Sequence, residues 1–140
     1  MTKRTITATE VRGVLDTLAN TYPDKKNPTV SGSCVYDDGN GDHCVAGQAF
    51  VELGIDVPRV GPGGNDPFWQ FDAPSALADN GMWPAIEWEY DALRLLDLVQ
   101  MAADGGSTLD VADPRRDWRT AIHAVLESDD YLATLAVEPF

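Results

Sequence analysis

Positive charge is scarce in this chain: three lysines and seven arginines stand against seventeen aspartates and six glutamates, for a formal charge of −13. A field of that sign repels nucleic-acid phosphates and anionic lipid headgroups, so the expected partners are basic proteins or cations, with no direct nucleic-acid and no membrane binding. Cysteine and histidine are as sparse, at two each, and no Cys-x-x-Cys pair exists, so neither a disulfide scaffold nor a four-ligand zinc site can be written from the sequence. No run approaches the ~20 apolar residues of a membrane span, and the opening Met1-Thr2-Lys3-Arg4-Thr5-Ile6-Thr7 has no apolar signal core. P-loop, dinucleotide fingerprint and serine elbow are missing as well. The expected setting is the cytoplasm, where the two cysteines are free thiols; an oxidising compartment would let the pair close across a turn.

What the chain does have is apolar content for one core. With 140 residues, 44% of them hydrophobic, it is long enough to bury a single core and short for two, so one domain over 1–140 is expected. The charge is lopsided. Residues 1–30 carry five basic and three acidic groups, whereas residues 31–140 carry five basic and twenty acidic, so the second part alone holds −15.

The first helix is well marked. Thr7 stands as its cap with Glu10 three residues on, Val11, Val14, Leu15, Leu18 and Tyr22 fall at helical spacing, and Pro23 stops it, giving a helix over about 8–22. A polar connection over 24–29 leads into a short strand over 30–36, and Asp37-Asp38-Gly39-Asn40-Gly41-Asp42 is a dense reversal signal. Cys44-Val45-Ala46 reads either as the returning strand or as a helix start capped by Asp42. The preferred reading is a hairpin over about 30–46 whose return strand merges into a helix over 45–53, with Gly54 ending it. Residues 55–84 form a Pro/Gly-rich aromatic loop with one short helix over 75–80. Helices follow over 86–137: a long one over 86–104 with Leu93, Leu96, Val99 and Ala103 on one face; one opened by Asp113-Pro114 with Trp118, Ala121, Ile122, Val125 and Leu126 inward; and a last one capped by Ser128. The expected fold is therefore α+β, a mainly helical single domain with a small β-hairpin.

Two candidate sites emerge. Cys34, His43 and Cys44 offer thiolate and imidazole ligands around one turn, with His123 or Asp42 as the fourth ligand zinc would require, and Cys44 near a helix start beside His43 has the outline of an activated nucleophile. Adjacent positions on a strand point to opposite faces, so two small buried thiols are the plainer reading. Asp38, Asn40 and Asp42 imitate a calcium loop but place His43 where glycine is needed and Ala49 where the bidentate glutamate belongs. Paired carboxylates such as Glu87 and Asp91, or Asp97 and Asp104, are expected by chance in so acidic a chain.

The second site is the stretch 66–91, which holds six of the twelve aromatics, Phe68, Trp69, Phe71, Trp83, Trp88 and Tyr90, interleaved with carboxylates. Rings of that size packed under a long loop would pin it to the helices. Rings left exposed would form anchors with an acidic border, which selects basic partners and speeds their encounter. The binding set expected on that reading is Trp69, Phe71, Asp72, Trp83, Glu87, Trp88 and Asp91.

Cys34-x-Tyr36-x-Asp38-Gly39, leading to Cys44-x-x-Gly47-x-x-Phe50-x-x-Leu53-Gly54, and Gln100-x-x-x-Asp104-Gly105, followed by Trp118-x-x-Ala121, together resemble small uncharacterised proteins of actinobacteria and their phages. The resemblance covers about half of the chain. It departs at 106–117, which separate the second turn from its tryptophan. It implies a phage or actinobacterial origin, hence a host-cell cytoplasm for a phage-encoded chain, and no particular activity. The function expected from charge, rings and resemblance together is a non-catalytic, phage-encoded acidic protein. It would bind a host protein with a basic surface through an acidic and aromatic face, in one version by imitating the charge of a nucleic acid, and without a cofactor. The alternative is a small-ligand- or metal-binding domain, or an enzyme, centred on Cys34, His43 and Cys44.

Overall fold

The computed structural model describes residues 3–27, 29–30, 33–34, 43–57, 74–79, 81–104 and 115–128. It is a mainly helical α+β domain, with five helices and four short strands among those residues: β1 (Arg4–Ile6), α1 (Ala8–Thr21), β2 (Thr29–Val30), β3 (Ser33–Cys34), α2 (Val45–Leu53), α3 (Pro74–Asp79), β4 (Ile86–Trp88), α4 (Tyr90–Asp104) and α5 (Trp118–Ser128).

Local chemistry sets the ends of the first two helices. Thr7 is extended, and its Oγ1 accepts the Glu10 N–H at 3.1 Å, satisfying a donor that the helix cannot. Glu10 does not complete the box, because its Oε2 is held by Arg4 Nη2 at 3.0 Å. Val11, Leu15, Leu18 and Ala19 face the core. Gly54 terminates α2 at φ 73°, ψ 32°, a left-handed conformation that a Cβ disfavours.

α4 is the central helix. It packs on α1, α2, α3 and α5, and Ala92, Leu95, Leu96, Leu98, Val99, Ala102 and Ala103 are buried on one broad face. The core they complete also takes in Ile6, Phe50, Leu77, Trp83 and Trp118. α5 contributes Trp118, Ala121, Ile122 and Val125 to it. Its cap is Asp117, whose Oδ1 accepts the Thr120 N–H at 2.8 Å, so the helix does not open at Asp113-Pro114 as expected: 115–117 are non-helical and the chain turns helical only at Trp118. The Gly105-Gly106 stop and the last helix lie outside the described residues.

The strands differ from the expectation in two ways. β1 and β4 form a parallel pair, Arg4 opposite Ile86 and Ile6 opposite Trp88, so 86–88 is strand and the long helix begins only at Tyr90. Glu89 makes the boundary: its N–H donates to Ile6 O, its carbonyl accepts the Ala92 and Leu93 N–H groups, and its Oε1 accepts the Ala8 N–H at 2.7 Å. The hairpin is smaller than 30–46. β2 pairs antiparallel with β3, Thr29 opposite Cys34 and Val30 opposite Ser33, with two residues between the strands. Cys44-Val45-Ala46 is not the return strand, because Cys44 caps α2; the acidic turn 37–42 lies outside the described residues.

Candidate functional site

The stretch around Cys44 is built as a helix cap. Cys44 is extended at φ −70°, ψ 172°, and its buried Sγ accepts the Gly47 N–H at 3.4 Å. The next two amides are satisfied from elsewhere in the chain: Asn27 Oδ1 accepts the Val45 N–H at 2.7 Å, and Gln100 Oε1 accepts the Ala46 N–H at 3.2 Å. A helix N-terminus is an anion site only while its amides are free, and here all three are occupied.

Asn27 is the hub of this region. It is fully buried, and the same Oδ1 also accepts the Trp118 Nε1–H at 2.9 Å while Nδ2 donates to Asp104 Oδ1 at 2.9 Å. Arg115 Nη1 donates to its carbonyl at 2.7 Å. Cys44, Gly47, Gln100, Asp104 and Trp118, residues from both halves of the resemblance pattern, thus meet in one hydrogen-bonded cluster joining α2, α4 and α5. Nothing in the sequence marked Asn27, which sits in the polar connection after α1. His43 is half-buried beside the cap and His123 is exposed on α5. Among the described residues no three His, Cys, Asp or Glu side chains come together as a metal site.

The aromatic stretch divides. Trp83, expected as an exposed anchor, is a core residue at 6% exposure. Its ring lies 4.9 Å from Phe50 and 5.2 Å from Trp88, and its Nε1–H donates to Asp56 O at 2.9 Å. The correction follows from its area: a ring that size flanked by a helix and a strand gains more from burial than any surface position returns. Trp88 is half-buried against it, and its buried Nε1–H has no acceptor among the described residues. Trp69, Phe71 and Asp72 lie outside the described residues. Glu87 and Asp91 are exposed, and between them stands the ring that the expected set omitted, Tyr90, 79% exposed. Glu89 is exposed alongside. The junction of β4 and α4 is therefore an acidic shoulder carrying an open phenol.

Several arginines are bound to helix ends. Arg4 Nη1 donates to Leu53 O at 2.6 Å, Arg12 Nη2 to Leu126 O at 2.7 Å and Arg116 Nη1 to Ala102 O at 2.9 Å. Each guanidinium meets the carbonyl-rich C-terminal turn of a helix, the negative end of its dipole. None of α2, α4 and α5 has a basic residue of its own in that turn. Of the ten basic residues, Arg4, Arg12, Arg115 and Arg116 are thus engaged with backbone carbonyls.

Asp97 on α4 has its pKa raised above the ordinary carboxyl value. Burial raises it, and nearby Asp79 adds to the rise, against hydrogen bonds from Ser75 that lower it; the Ser75 N–H reaches Asp97 Oδ1 at 3.0 Å. This half-buried carboxyl holds the start of α3. No helix among the described residues is long and apolar enough to cross a membrane.

No protein-family model, no curated protein and no solved structure matches the chain.

Proposed function

We propose that this protein is a non-catalytic acidic interaction protein, acting in a host cell from a phage genome, which binds a basic surface through the shoulder formed by Glu87, Glu89, Tyr90 and Asp91. One version of the partner is a nucleic-acid-binding protein whose phosphate-recognition surface is met by carboxylates. The observation that supports it most directly is Tyr90, 79% exposed at the head of the central helix and bracketed by exposed acids. A large amphipathic ring in the open is an efficient anchor, and the acids around it steer basic surfaces to it. The shift from Trp83 to Tyr90 keeps the mode of binding while moving its anchor.

The thiol-centred alternative has no comparable support, since Cys44 Sγ is buried and turned to its own helix.

The test is capture from host lysate on the immobilised protein at low and at high salt, repeated with Glu87→Gln/Asp91→Asn and with Tyr90→Ala. The expected result is a basic protein retained at low salt, released as screening shortens the reach of the charges to about 8 Å or less, and lost with both variants. Capture indifferent to salt and to all three substitutions would remove the proposal.

A further inference from the structure

We propose that the outer edge of β4 takes up an extended, basic segment of the partner as an added strand; this rests on the acidic-shoulder reading and specifies how that surface is engaged. Among the described residues the β1–β4 sheet has two strands only, so each strand has one edge without a neighbour. The bonding pattern says which groups face that edge. Arg4 N–H donates to Ala85 O at 3.2 Å and Glu89 N–H to Ile6 O at 3.0 Å. In a parallel ladder bonding alternates along the strand, so 85, 87 and 89 turn their backbone to β1 while Ile86 and Trp88 turn theirs away. The Ile86 N–H is taken by Trp83 O at 3.1 Å. The Ile86 carbonyl and both backbone groups of Trp88 are left to face outwards.

The other edge is the weaker candidate. On β1 the alternation leaves Thr5 outward, next to exposed Lys3 and to Arg4, a flank that repels a basic strand. The β4 edge, Ile86 to Trp88, instead has exposed Glu87 within the strand and leads into the Glu89-Tyr90-Asp91 shoulder. A second copy of this chain is disfavoured there, because it would set these carboxylates against their own counterparts in a chain of charge −13. Three outward groups offer main-chain partners to the incoming strand, the acids attract its lysines or arginines, and Tyr90 lies beside its end. This is strand addition, in which main-chain bonds hold the ligand and alternate side chains choose it. A three-residue edge is also short enough to leave the free protein soluble.

The experiment follows amide hydrogen exchange of the full chain by NMR, alone and with a synthetic peptide alternating lysine and valine. Controls are the same peptide N-methylated at alternate residues and one alternating glutamate and valine. In the free protein the Trp88 amide should exchange faster than that of Glu87, which faces β1. The lysine peptide should slow it, and N-methylation on the pairing side should weaken binding about tenfold or more, with no binding of the glutamate peptide. Four results overturn the proposal: a Trp88 amide already slow in the free protein; protection that arises by dimerisation without peptide; N-methylated peptide bound as well as the parent; or no binding of the lysine peptide at low salt. The third removes strand addition while leaving the acidic shoulder in place. Capture with Glu87→Gln/Asp91→Asn judges that shoulder separately.

Discussion

Two clusters of polar and aromatic side chains lie at opposite extremes in this molecule. Around the start of α2, the amide of Asn27, the amide of Gln100, the thiol of Cys44 and the indole of Trp118 are bonded to one another or to backbone, and Asn27 and Trp118 are wholly enclosed. At the start of α4, Glu87, Tyr90 and Asp91 project into solvent. The first cluster contains Cys44, which in the sequence has the outline of a nucleophile, and it is occupied in capping a helix that the cluster joins to two others. The second contains Glu87 and Asp91 from the expected binding set together with Tyr90, and these have capacity left to bind something. A buried polar group that is fully partnered contributes to the uniqueness of the fold, whereas an exposed one is available, and that contrast orders the expected effects of substitution.

The largest effect belongs to Asn27. Asn27→Ala strands the Val45 N–H and the Trp118 Nε1–H without their acceptor, and two orphaned buried donors should cost about 3–5 kcal/mol in urea denaturation. Asn27→Asp keeps the acceptor but places a second carboxylate against Asp104, so it should destabilise at neutral pH and recover part of the loss on acidification. If Asn27→Ala unfolds at the same urea concentration as the parent, the cluster is not what joins the helices, and the contrast between the two regions fails.

How much of this was legible beforehand follows the same division. Thr7, Gly54, the bounds of α2 and the short helix of α3 were readable because caps, turns and periodicity are local properties. So was the inward face of Trp118, Ala121, Ile122 and Val125. β1 was not, since three residues acquire strand character only from a partner 82 positions further on, and 86–88 was absorbed into the helical pattern that follows it. Cys44 was ambiguous for the same reason: whether it extends a strand or caps a helix depends on Asn27 and Gln100 arriving from elsewhere. Trp83 and Tyr90 belong to one aromatic cluster in sequence, and only tertiary packing separates the ring that fills the core from the one that stays out.

Between the extremes stands Asp97, half-buried at the junction of α3 and α4. Its folded pKa is raised chiefly by burial, so the ionised carboxylate is disfavoured in the native state relative to the unfolded chain. Stability contributed by this group is greatest below its unfolded pKa and is lost as pH rises through the raised folded value. Asp97→Asn retains an oxygen for the Ser75 N–H and removes the charge. It should therefore be more stable than the parent at neutral pH, with the difference shrinking as pH falls into the ordinary carboxyl range. Paired urea titrations at neutral and acidic pH read this directly, because carboxylates that do not interact with Asp97 contribute equally to both proteins, and the one that does, Asp79, is relieved of the same repulsion. A variant less stable than the parent at neutral pH would show that the hydrogen bonds of the charged form outweigh its desolvation.

The smallest effect on stability should come from the shoulder. Tyr90→Ser, or Glu87→Gln with Asp91→Asn, removes side chains that are exposed, so each is expected to shift unfolding by about 0.5 kcal/mol or less. That includes the modest loss from taking Asp91 out of the first turn of α4, where its charge meets the positive end of the helix. The same substitutions should abolish salt-sensitive capture of a basic protein. Such a separation is the mark of a surface kept for a partner, since a residue retained for folding loses stability and binding together. If instead Tyr90→Ser lowers stability as much as a core substitution does, the phenol has a structural partner, and the two regions differ in exposure without differing in role.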